Sequence, residues 1–284
     1  MDPTFLSLLI FVIITIFYYI FKPKITIDIL DSQDPTLLEQ LSSKKYMYLF
    51  IYLSTVLISQ FFINAIILIT KCGGSVGKNV GAGFVITFIP WIFIFGTMIL
   101  VLIMFPGFKS AFSNVIGYFV VSGSATELLT KLLINTEIQP ALQDNSGVSQ
   151  EEKTALQKSA EAVVKLCGNI SIIINQIVPE NFNDYWAILL PLMKPEYKVG
   201  GSSYGETSKI KEKFLNLVIM RDDVGESLWY CYTAVLLISV VQYNLTSRGC
   251  INDAALMAVK HQEFIIEEEK QTKKQDANAQ TLYM

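Results

Sequence analysis

The chain has few of the side chains from which most enzyme and metal sites are built. It has a single histidine, His261, and four cysteines, Cys72, Cys167, Cys231 and Cys250. No two cysteines form a C-x-x-C pair, so a Cys/His zinc centre is not expected. Isolated cysteines of this kind read as small buried hydrophobes, and no disulfide is expected. Arginine occurs only at positions 221 and 248, which removes the usual means of bidentate phosphate or base recognition. With a net charge of −3 the chain also lacks a basic footprint, so no nucleic-acid partner is expected. No Gly-x-Ser-x-Gly elbow, HExxH helix or paired carboxylates appear. The stretch CGGSVGKNVGAG (Cys72–Gly83) has Cys72 where a phosphate loop needs glycine and Asn79 where it needs a hydroxyl, so it reads as a hairpin turn. The expectation is a protein without catalytic residues, cofactor or metal, and not an enzyme.

Apolar sequence is abundant. Hydrophobic residues make up 52% of the chain, the mean hydropathy is +0.44, and most of the excess lies before Phe108. Three runs without a charge stand out: Phe5–Phe21 with 17 residues, and Tyr46–Thr70 and Gly81–Phe105 with 25 each. A helix needs about 17–25 such residues to cross a bilayer. The second and third runs have no polar face at helical spacing, which argues against burial inside a soluble protein. Phe5–Phe21 follows Asp2 rather than a basic segment and has no small-x-small cleavage site, so it reads as a retained anchor and not a signal peptide. Residues 1–105 are therefore a transmembrane anchor. Lys22, Lys24, Lys44 and Lys45 place the Pro23–Lys45 segment on the cytoplasmic side, with the chain after Phe105 on that side too. Inside the spans Gln60 and Asn64 lie four apart on one helical face. They suit helix–helix hydrogen bonding, with a polar solute pathway as the alternative. No ionisable residue accompanies them, so no signature of ion-coupled transport is present.

From about Ser124 charges return. Residues 125–266 read as a helical, extramembrane domain, making the whole an all-α membrane protein. Residues 125–135 form a short helix. Ser149 and Glu152 form a capping box for a long one. Along it Leu156, Ala160, Val163, Cys167, Ile170, Ile174 and Ile177 recur as an apolar seam. That seam serves its own domain's core or, as the alternative, a coiled coil that would make a homo-oligomer. Asn183–Met193 and Gly205–Met220 read as two further helices. Ser227–Val241 is short for a span and typical of a core helix, with Asp222 and Asp223 at its N-terminus; a fourth span is the alternative. The tail 267–284 is too polar to hold a core and is expected to be disordered or ordered only by a partner.

Between anchor and domain lies a collar, 106–124. Pro106 and Gly107 stop the third span, and Lys109 can reach headgroups with its ammonium while its stem stays apolar. The 12 residues that follow, AFSNVIGYFVVS, carry no charge and suit an interfacial segment. Small side chains at Ala111, Ser113, Gly117, Ser122 and Gly123 allow close approach to another element. Here a resemblance enters. Pro106-Gly107-Phe108-Lys109-Ser110-Ala111-Phe112-Ser113-Asn114 followed by Gly117-Tyr118 resembles a motif, Pro-Gly-Trp-Lys-x-Pro-Phe-Ser-Asn then Gly-Tyr, in membrane-associated minor capsid proteins of nucleocytoplasmic large DNA viruses. This chain has Phe108 for the tryptophan and Ala111 for the second proline. The resemblance implies a structural protein of a virion's internal membrane, derived from a host endomembrane. Its partners would be the lipid bilayer and other minor capsid or membrane proteins. A membrane channel or transporter subunit is the competing expectation.

Overall fold

A computed structural model describes residues 3–32, 34–72, 76–133, 170–248 and 254–281. The described residues are helical throughout their regular structure, and one isolated antiparallel bridge joins Leu133 to Met193. Four helical stretches are long and apolar enough to cross a membrane: Pro3–Phe21, Pro35–Cys72, Asn79–Met104 and Tyr204–Ser247. We call Pro3–Phe21 α1, Ile27–Ser32 α2, Pro35–Cys72 α3 and Val76–Pro90 α4. Gly96–Met104 is α5, continuous with α4 through a π-helical turn at Trp91–Phe95. Their outward side chains include Phe50, Phe93 and Met104, each about two-thirds exposed. An apolar surface of that extent is covered by lipid in an integral membrane protein.

Local chemistry explains the helix ends. Pro35 opens α3, and Asp34 caps it, its Oδ1 accepting from the Thr36 backbone N–H at 2.9 Å and the Thr36 hydroxyl at 2.8 Å. The Thr36 hydroxyl, followed by its backbone N–H, holds the Asp34 carboxyl below its ordinary value. In α4, Pro90 has no N–H to give the ladder, and the helix passes at once into the π turn.

The described chain divides into two compact units, and α1, α3, the Val76–Met104 stretch and the Tyr204–Ser247 helix each contribute residues to both. The first unit comprises Met1–Ile14, Tyr52–Thr97 and Thr233–Met284. Its centre is aromatic: the π turn brings Trp91 and Phe95 inward, both fully buried, and Phe11 packs on them with ring centroids 5.9 and 5.8 Å away.

The second unit comprises Thr15–Ile51 and Met98–Tyr232. A 3₁₀ turn at Pro106–Phe108, a single α turn at Ser110–Phe112 (α6) and a second π turn at Ser113–Gly117 lead into α7, Tyr118–Leu132. Val121, Ala125, Leu129 and Leu132 form one buried face of α7. It packs with α8 (Ile170–Gln176), α9 (Phe182–Leu189) and the first half of α10 (Tyr204–Ser247) around Ile174, Phe182, Phe214 and Val218. A last helix, α11, spans Ala254–Thr281.

Several expectations are corrected. Gly205–Met220 and Ser227–Val241 are one continuous helix, α10, which is long and apolar enough to cross a membrane, as the alternative of a fourth span requires. The apolar run was undercounted because the helix continues past Val241 through Gln242–Leu245, and because Arg221, Asp222, Asp223 and Glu226 separate it from the apolar Leu217–Met220 segment of the same helix. Asp222 and Asp223 consequently lie inside a helix and not at its start. The polar tail is helical to Thr281, with its described side chains exposed. Its Glu, Lys, Gln and Ala content favours a helix even where no core is available. Cys72 is disulfide-bonded, contrary to the expectation of isolated thiols, whereas Cys231 is free. The Val76–Gly83 part of the supposed hairpin turn is helical, the beginning of α4. Most of the long helix expected after Ser149 lies outside the described residues, which resume at Ile170.

Candidate functional site

The collar residues converge on α10, within the second unit. Pro106 and Gly107 form the 3₁₀ turn, and the Gly107 carbonyl accepts from the Ser110 hydroxyl at 2.6 Å. The Phe108 carbonyl accepts from Trp229 Nε1 at 2.9 Å. Phe112 meets the same indole edge to face, with centroids 4.9 Å apart. Beyond them the π turn buries Ser113 and Gly117, four residues apart, against α10. A Cβ built on Gly225 would lie 2.6 Å from Ser113 Cβ, and one on Gly117 would lie 2.4 Å from the Arg221 carbonyl oxygen. Two helices approach this closely only where side chains are absent. The Asn114 carbonyl accepts from Asn175 Nδ2 at 3.3 Å, and Tyr118 packs half-buried on the core.

A charged cluster sits on the same part of α10. Lys22, just past the end of α1, lies 2.6 Å from Asp223 and 3.5 Å from Glu226. The Glu226 carboxylate also accepts from the Tyr230 hydroxyl at 2.6 Å. Burial acts to strip the Lys22 proton, but the Glu226 and Asp223 carboxylates outweigh it and hold the ammonium above its ordinary value. Lys109, expected to reach headgroups, has Asp222 at 3.9 Å, so its charge is met by protein. Arg221, almost fully buried, donates to the Ile174 carbonyl and reaches Asp222 at 3.4 Å. The Arg–carbonyl contact ties α8 to α10.

In the first unit, Gln60 and Asn64 are both buried. Gln60 Nε2 donates to the Ser7 carbonyl at 3.0 Å. Asn64 Nδ2 donates to the Thr87 hydroxyl at 3.0 Å, and Asn64 Oδ1 accepts from Gln242 Nε2 at 3.1 Å. These three bonds join α1, α3, α4 and α10. Interhelical bonds in membranes are worth about 0.6 kcal/mol on average and reach about 1.7. Asn64→Leu breaks two and strands Thr87 and Gln242, whereas Gln60→Leu breaks one. Thermal unfolding in detergent is therefore expected to fall more for Asn64→Leu than for Gln60→Leu, with neither abolishing folding.

No protein-family model, no curated protein and no solved structure matches this chain.

From sequence, Asp222 and Asp223 were assigned only to a helix start, and Arg221, Glu226 and Trp229 were given no role in a site. Their signal was available: three acids and an arginine within six positions, placed just before an apolar run. Lys22 and Lys109 lie beside the ends of two other runs, so opposite charges were due at the same membrane depth. Among the described residues no three His, Cys, Asp or Glu side chains are grouped to hold a metal ion.

Proposed function

We propose that this chain is a non-enzymatic structural protein that anchors a protein layer to an internal virion membrane, as a minor capsid protein of a large DNA virus. The observation that carries this reading is where the motif residues go. Phe112, Ser113, Asn114 and Gly117, which match the viral pattern, are spent on binding the collar to α10 and α8. Phe112 acts through its ring, Asn114 through its backbone carbonyl, and Ser113 and Gly117 through close approach; a motif used in this way serves architecture, fixing a helical layer at the end of a membrane anchor. Gln60 and Asn64 are likewise consumed by helix–helix bonds, which takes the motivation from a solute pathway. Cryo-electron microscopy of purified particles would locate the protein beneath the capsid shell; finding it only in host-cell membranes would overturn the proposal.

The reading gives the chain four crossings, an even number. Residues after Ser247 then return to the side on which α1 begins, while Pro23–Lys45 and the collar share the cytoplasmic side. The Cys72 disulfide fits, because such bonds persist on lumenal faces. In sealed vesicles with the cytoplasmic face outward, protease is expected to cut the Pro23–Lys45 loop and to spare α11. Cleavage of both would exclude four crossings.

A further inference from the structure

A cavity of about 280 Å³ opens within the second unit, where Lys22, Lys24, Lys45 and Lys109 gather. Its depth is set by sequence. Lys22 follows the last residue of α1, Lys45 precedes the uncharged run of α3, and Pro106 on its wall closely follows α5. All three mark the boundary between hydrocarbon and headgroups. Further in, Leu49, Leu102 and Ile103 continue the wall as an apolar strip. The volume suits a headgroup better than a whole ligand, since pockets for drug-sized molecules begin near 300 Å³.

The charges on the wall are unevenly spent. Lys22 is held by Asp223 and Glu226, and Lys109 is within 3.9 Å of Asp222. Lys45 is partly buried and forms no ion pair among the described residues. An ammonium carries three donors and is costly to remove from water without an acceptor. Glu180, the fourth acid on the wall and the carboxylate that acts most on Lys45, is exposed, where water screens both that attraction and its repulsion of an anion. We propose that this cavity binds the phosphodiester of a membrane glycerophospholipid, with Lys45 as the principal donor, Lys24 at the mouth, and the proximal acyl chain along Leu49 and Leu102. The site depends on the chain crossing a bilayer, whichever membrane that is.

The test is native mass spectrometry of the full chain in detergent, with phosphatidylglycerol, dioleoylglycerol and inorganic phosphate as separate probes. One phosphatidylglycerol per chain is expected to stay bound, while dioleoylglycerol, which lacks the phosphate, is not retained. Lys45→Gln is expected to weaken retention at least tenfold with the unfolding temperature unchanged, and Lys45→Arg to keep it. Equal retention by Lys45→Gln, or equal retention of dioleoylglycerol, would overturn the proposal. Displacement of the lipid by millimolar inorganic phosphate would overturn the lipid as the source of the anion. Failure of any of these leaves the virion assignment untouched, because that rests on location in the particle.

Discussion

Gly225→Val is expected to be strongly destabilising. The new Cβ would sit 2.6 Å from Ser113 Cβ, 2.7 Å from Ser113 N and 2.9 Å from Ser113 Cα. Two of these three atoms are backbone, so no rotamer change relieves the clash, and the collar must move away from α10. That movement also pulls Phe112 off Trp229 and Gly117 off Arg221. Overpacking costs about 1–3 kcal/mol where side chains can yield, and more where backbone must shift. At roughly 2–4 °C per kcal/mol for a chain of this order of size, the unfolding midpoint in detergent should drop by about 10 °C. Ser113→Gly in the same chain removes the Cβ contact and leaves the backbone contacts, so it should recover only part of the loss. Gly123→Ala provides the contrast. It lies in α7 with nothing within 4 Å of its would-be Cβ, and alanine is the better helix former by about 1 kcal/mol. It should be neutral or slightly stabilising. Equal midpoints for Gly225→Val and Gly123→Ala would contradict the close approach described here.

Lys22→Ala is expected to come next. It leaves Asp223 and Glu226 facing each other without a counter-charge, and the three side chains are only 13–19% exposed. Removing one partner from a buried ion pair costs about 3–5 kcal/mol, most of it for the charge left behind. Replacing the whole cluster is different: Lys22→Met with Asp223→Asn and Glu226→Gln should lie much closer to the wild-type midpoint than Lys22→Ala does. The same pairing sets a pH dependence. The folded protein holds Lys22 above its unfolded value. Its contribution is thus complete below about pH 10, the ordinary range for lysine, and is lost as pH rises through the folded value. Alkaline unfolding should accordingly begin at lower pH once Asp223→Asn removes the nearest carboxylate.

The parts of the fold legible in the sequence were those written in composition. Uncharged runs marked the first three candidate spans, because crossing a bilayer is a one-dimensional requirement. The fourth candidate span was obscured because α10 carries an arginine and three acids midway along its length. A window that stops at charges cannot know that Lys22 and Lys109 will neutralise them. The collar was legible as a place where small residues permit close contact. Which helix it would contact was not, since Ser113 and Gly225 are more than a hundred positions apart. The Cys72 disulfide was missed for a related reason: with no C-x-x-C spacing, only the folded chain can bring a partner near.

The ion cluster around Lys22 bears on membrane thickness. Such a cluster cannot slide into hydrocarbon, so it acts as a depth stop for α1 and α10. The uncharged run of α1, 17 residues, rises about 25 Å, and that of α3, 25 residues, about 37 Å at 1.5 Å per residue. A hydrocarbon core of about 30 Å matches neither. A run shorter than the hydrocarbon is accommodated by local thinning or snorkelling flanks and a longer one by tilting, kinking or local thickening, each at a fraction of a kcal/mol per Å. The bilayer around this protein is therefore asked to vary in thickness from one helix to the next, and lipids able to do so are the ones it will gather.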